Sequence, residues 1–190
     1  MEGWKDMGTD TLVQEFKGRK DHADYIKRGI AVENYFVKEA RKRDYNIWIA
    51  SEEQNIKDHI DVFLKKEGKE FSVDVKAIRT GNKSRVPDDT WIVVEFLNTM
   101  GDKGWLYGSA DYIVFERIKD FVFCETQELV DLAHKLVDRN DRVSSYKDAE
   151  YKVWGRLYQG KKDLISRMEM SKILDLKNTF IWKKSVDISN

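Results

Sequence analysis

The chain has 190 residues, 34 Lys+Arg against 34 Asp+Glu for a formal net charge of zero, and 41% hydrophobic residues. A chain this long is expected to fold as one domain burying roughly 70% of its extended surface, and six Trp, eight Tyr and nine Phe with one Pro exclude disorder. No apolar run approaches about 18 residues, which excludes a membrane-spanning helix. The opening MEGWKDMGTD lacks the charged and apolar regions of a secretory signal, and the single Cys124 excludes an internal disulfide and a cysteine-rich zinc site, so a cytoplasmic, reducing setting is expected.

In chain order, residues 9–20 read as a short helix around Leu12, Val13 and Phe16. A longer helix is predicted from about Asp21 to Arg43, with Ile26, Ile30, Val37 and Ala40 on one stripe. Tyr45 to Ala50 reads as a short strand. Ile60, Val62 and Leu64 then alternate with polar neighbours, as do Phe71, Val73 and Val75, with a tight turn centred on Glu67-Gly68 between them. A polar loop over about 79–90 leads to a buried strand, Trp91 to Leu97. Asp111 to Arg117 and Asp120 to Glu125 read as two further strands. Gln127 to Val137 reads as an amphipathic helix, Tyr151 to Tyr158 and Leu164 to Met168 as a hairpin around Gly160, and Met170 to Leu176 as a short helix. The pattern predicts an α/β fold, a central mixed β-sheet flanked by helices. A single domain over 1–190 is expected, with a core of about 20–138 and a C-terminal hairpin and short helix over about 145–180.

The first hairpin can be read for register. A two-residue turn at Glu67-Gly68 sets Val62 opposite Val73, Leu64 opposite Phe71 and Ile60 opposite Val75, so every apolar residue meets an apolar partner. The same register sets Asp61 opposite Asp74 on the other face, and His59 opposite Lys76. Two carboxylates ~5 Å apart at their β-carbons repel, so a cation belongs between them: Lys76, or a divalent ion suited to hard oxygen ligands. A solvated hairpin face of mixed charge is the plainer alternative. On the helix, Glu33 falls between Ile30 and Val37 on the apolar stripe, where a carboxylate is costly unless paired or bound to a cation. Its alternatives are a place at the stripe's edge or a buried lysine partner. Glu39 lies nearby but fits the stripe less well.

Glu33 on the first helix, Asp61 on a strand, and Asp74-Val75-Lys76 on the next strand resemble the PD-(D/E)XK nuclease superfamily, the restriction-endonuclease-like fold, and among its members the small phage, viral or junction-resolving ones. The resembling stretch runs from the helix to about Val137; Ile60 stands where many members carry proline. The resemblance implies a Mg²⁺- or Mn²⁺-dependent DNA endonuclease. It assigns Asp61, Asp74, the Val75 main-chain carbonyl and Glu33 to the metal, and makes Glu33, Asp61, Asp74 and Lys76 the catalytic set. It also implies a 5′-phosphate product and, as in many relatives, a homodimer. The competing expectation is a non-catalytic nucleic-acid-binding or protein-interaction module on the same fold.

From Arg139 to the C-terminus there are 12 basic and 7 acidic residues, an excess of five positive charges. Arg79, Lys83 and Arg85 follow the active strand and could hold a nucleic-acid backbone. Lys152 and Arg156 lie among Tyr146, Tyr151, Trp154 and Tyr158, a mixture that suits either nucleic-acid contact or hairpin packing. His22 and His59 could touch the edge of the site, and Glu95 could approach it from its strand. His134 reads as structural, Trp105-Leu106-Tyr107 as packing under the sheet, and Cys124 as a buried thiol.

Overall fold

A computed structural model describes residues 20–80, 86–155, 157–158 and 161–185. The helix predicted around Leu12, Val13 and Phe16 lies outside them. Helix α1 spans Lys20–Arg41, with Lys38 and Arg41 in its last turn, where cations suit the helix dipole. Its buried face is Val32, Phe36, Val37 and Ala40. This face is rotated from the predicted stripe because Phe36 claims its centre, stacking on Trp182 at 5.6 Å and meeting Phe121 edge-on at 5.3 Å. Glu33 consequently sits at the margin of the buried face, half-buried.

Strand β1, Asn46–Ile49, is followed by a helical turn over Gln54–Asp58 that closes on His59 in the left-handed region, φ 53°. Strands β2, Val62–Lys66, and β3, Lys69–Lys76, form the predicted hairpin. Glu67 and Gly68 both take positive φ, 52° and 79°, as the tightest hairpin turn requires. The register is the predicted one: Val62 opposite Val73 and Leu64 opposite Phe71. The ladder stops at Val62, however, so Ile60 and His59 have no strand partners in β3. The left-handed turn at His59 delivers the chain to the sheet only at Asp61, whose N–H bonds the Val73 carbonyl at 2.9 Å.

Strand β4, Trp91–Leu97, alternates in burial rather than being buried throughout. Strands β5, Tyr112–Glu116, and β6, Asp120–Glu125, form the next hairpin, and α2 spans Thr126–Leu136. Strand β7, Asp138–Arg142, pairs with the short Lys152–Val153 segment. Strand β8, Leu164–Glu169, runs into α3, Met170–Leu174, and β9, Phe180–Lys183, ends the described chain's regular structure. The central sheet has six strands in the order β1-β2-β3-β5-β6-β9; β3 and β5 are parallel and the other neighbours antiparallel, so it is mixed, as expected.

Of the predicted second hairpin, Leu157 pairs opposite Lys162 and Trp154 bridges Ile165, while Gly160 lies outside the described residues. Yet β8 pairs along its length with β4, making a separate two-stranded sheet. One core cluster joins α1 to one face of the central sheet through Val62, Leu64, Val73, Val75, Phe121, Phe123 and Trp182. A second joins the opposite face, through Ile113, Phe115, Val122 and Cys124, to α2, β4, β8 and α3. The molecule is therefore α1, sheet, and a mixed third layer. Among the described residues no helix is long and apolar enough to cross a membrane.

Candidate active site

Strand alternation decides the faces. Val73 and Val75 point into the α1 layer, so Asp74 and Lys76 point to the other face, beside Ile113 and Phe115 in the parallel register. Asp61 stands just before β2, where the ladder has ended. Its Oδ2 accepts the Val75 N–H at 2.6 Å and its Oδ1 accepts from Asn55 Nδ2 at 2.6 Å. A carboxylate thus replaces the missing strand partner, tying Asp61 to the backbone between Asp74 and Lys76. The N–H and C=O of a strand residue face the same side, so the Val75 carbonyl is directed toward Asp61 as well.

Asp74 is buried, and Lys76 Nζ lies 2.6 Å from its Oδ1. Its Oδ2 is buried without a hydrogen-bond partner among the described residues. Burial pushes the Asp74 carboxyl up, Lys76 opposes this, as does a hydrogen bond from the Asp61 carboxyl when that group is protonated, and Glu33 adds to the rise. Asp61 is raised to about 7 by burial and the Asp74 charge, against Lys76 and the Val75 N–H. Glu33 is raised to about 7 by burial and then by Asp61, with Lys76 opposing. Burial alone would depress Lys76, but Asp74 and Asp61 outweigh it and raise its pKa. Asp61, Asp74 and Lys76 thus lie together at this end of β3, and Glu33 on α1 is near enough to Asp61 and Lys76 for their charges to act on it.

The donor chemistry suits a hard divalent cation: two carboxylates, a main-chain carbonyl, and one carboxylate oxygen without a partner. Among the described residues no three acidic, histidine or cysteine side chains form a ready-made ligand cage; the Lys76 ammonium takes up Asp74 Oδ1 instead.

Other sequence candidates fall out differently. Glu39 is fully buried, but Arg43 Nη1 at 2.7 Å, Lys42 Nζ at 3.2 Å and the Ser185 N–H at 3.2 Å satisfy its carboxylate. Burial pushes its pKa up, yet these partners hold it down at about 2, which marks a structural ion pair. His59 lies outside the strand but near enough to Lys76 for burial and then that charge to depress its pKa. His134 bonds the Tyr107 hydroxyl at 2.8 Å. Cys124 is fully buried, its thiol pushed up to about 12 by burial and the nearby Glu128.

Arg79 lies 5.0 Å over the Tyr146 ring. Lys152 pairs with Asp141 at 2.7 Å on the surface. Lys83, Arg85 and Arg156 lie outside the described residues, as does the His22 side chain. Two neighbours escape sequence reasoning. Asn55 sits in a polar segment with no pattern to single it out. Trp105 and Tyr107 pack with the buried Leu106 against the second core cluster, as expected, but Trp105 also presents its ring to Lys76 Nζ at 4.9 Å. Glu95, on β4, also acts on Lys76 electrostatically.

The chain matches no protein-family model and no curated protein. Among solved structures, a bacterial homing endonuclease, I-Ssp6803I, is similar over 60% of this chain and 74% of its own, with 14% identity and a TM-score of 0.40.

Proposed function

We propose that this chain is a divalent-metal-dependent nuclease of the PD-(D/E)XK type that hydrolyses phosphodiester bonds in DNA. The observation that carries the reading is the meeting of Glu33, Asp61, Asp74 and Lys76 from three separate elements, with a buried, unpartnered oxygen on Asp74. Such an oxygen costs stability in a protein that makes no use of it.

Asp61, Asp74 and the Val75 carbonyl would hold Mg²⁺ or Mn²⁺, completed by Glu33, and the ion would supply Lewis acidity toward a phosphate oxygen. Asn55 and the Val75 N–H fix the Asp61 carboxylate so that it meets its ligand in one orientation. The Lys76 ammonium donates N–H groups to the attacking water and to the charge that grows on phosphorus-bound oxygen. Arg79, three residues beyond Lys76, would hold the strand's backbone, with Lys83, Arg85, Lys152 and Arg156 extending that contact.

The test is incubation of the full chain with linear, circular, branched and single-stranded DNA in Mg²⁺ or Mn²⁺. Cleavage of at least one form is expected, falling about a hundredfold or more in Asp74→Ala and Lys76→Ala. The melting temperature should rise with cation concentration in wild type and not in Asp74→Ala. Binding of DNA with no cutting and no cation response would instead favour the non-catalytic module.

A further inference from the structure

The Lys76 ammonium has two partners of different kinds. One is Asp74 Oδ1 at 2.6 Å; the other is the indole face of Trp105 at 4.9 Å. The first belongs to the oxygen set that the proposed cation would claim. A divalent ion on Asp74 takes up the charge that attracts Lys76 and repels the ammonium besides. The indole is different: it is neutral, offers no hard ligand to Mg²⁺, and attracts an ammonium through its ring quadrupole.

Trp105 has little freedom to leave. It opens the helical turn Trp105–Tyr107, and its ring also meets Phe115 edge-on at 6.3 Å, the residue paired with Lys76 in the parallel register. Its N–H reaches Glu95 Oε2 at 3.4 Å. The turn is closed at both ends by glycines that leave no room for a side chain. A Cβ on Gly104 would stand 2.2 Å from the Glu95 carbonyl oxygen, and one on Gly108 would stand 2.7 Å from the His59 Cβ. The Ser109 N–H bonds the Asp58 carbonyl at 2.7 Å just beyond. The turn is thus clamped between β4 and the segment that delivers Asp61.

We propose that Trp105 is a positioning residue that keeps the Lys76 ammonium in the cleft when Asp74 is engaged by a divalent cation. The proposal rests on the nuclease reading for its catalytic consequence, while the contact itself can be read without any substrate. In the full chain carrying ¹³C-labelled lysine, the Lys76 ε-methylene protons, assigned by the peak lost in Lys76→Arg, lie upfield through the indole ring current. That shift is expected to persist when Mg²⁺ is added to saturation; its collapse on Mg²⁺ addition overturns the proposal.

In single-turnover cleavage, Trp105→Ala should lose about tenfold in rate at saturating DNA. Its KM should stay within about twofold and its Mg²⁺-induced rise in melting temperature should be kept, while Trp105→Phe recovers most of the rate. A Trp105→Ala protein that cuts like wild type, or one whose loss lies in KM or in the Mg²⁺ response, also overturns it. If Trp105→Ala does not fold, Trp105→Phe and the wild-type spectra still decide. Wild type that cuts no DNA while the ring-current shift survives Mg²⁺ means that the nuclease reading has failed and the contact has not.

Discussion

Asp74 sits under charge pressure, with Asp61 and Glu33 acting on it and one oxygen without a hydrogen-bond partner among the described residues. The folded-state pKa values of Glu33 and Asp61 are raised from 4.5 and 3.8 to about 7. Raised values favour the folded state below the ordinary pKa, and that stability is lost as pH rises through the folded one. Metal-free protein should therefore lose stability between about pH 4 and pH 7, as urea unfolding at several pH values would show. Asp74→Asn keeps an oxygen for Lys76 and removes the charge. It should flatten that slope while abolishing cleavage. Glu39 is the opposite case. Glu39→Ala removes the carboxylate that Arg43, Lys42 and Ser185 share, although Arg43 keeps the Glu39 and Lys183 carbonyls, and should cost about 1–3 kcal/mol in unfolding experiments, with cutting intact wherever the variant is folded. Asp74 and Lys76 were legible because strand alternation puts them on one face, and Asp61 because the hairpin register extends to its backbone bond with Val73. The separate roles of Glu33 and Glu39 were only partly so. Both lie near one helical stripe, and of the partners that hold Glu39, Arg43 and Lys42 are local while Ser185 is distant in sequence.

At the scale of elements, the β2–β3 register could be read because each apolar residue needs an apolar partner and Glu67-Gly68 suits the turn. Strand β7 could not. Its five residues, Asp138–Arg142, carry no apolar alternation and are mostly exposed. Strand β9 is only four residues long and draws its place from aromatic packing, with Phe180 stacked on Phe123 at 4.3 Å. The pairing of β4 with β8 joins segments far apart in the chain, which local pattern does not specify. The Trp105–Tyr107 turn depends on close backbone approach at Gly104, a feature invisible without the partner strand. Gly104→Ala should force β4 and the turn apart, costing on the order of 1–3 kcal/mol and erasing the Lys76 ring-current shift. Thermal melts and the same lysine spectra would register both effects.

At the scale of the whole molecule, the two core clusters were foreshadowed by composition, but their division across the sheet was not. The central sheet joins a local hairpin to a distant strand through one parallel pair, Lys76 beside Phe115, with the segment from Ala77 to Asp111 crossing between them. Parallel neighbours need such a crossover, and closing it is slow compared with zipping a hairpin, which takes roughly microseconds. Asp61, Asp74 and Lys76 all belong to the part that zips early, whereas Glu95 and Trp105 ride on the crossover. During refolding from urea, backbone order in the hairpin should therefore return before cation-induced stabilisation does, and stopped-flow circular dichroism followed by Mg²⁺ addition would resolve the lag. The acids are gathered first, and the wall that disciplines their lysine arrives last.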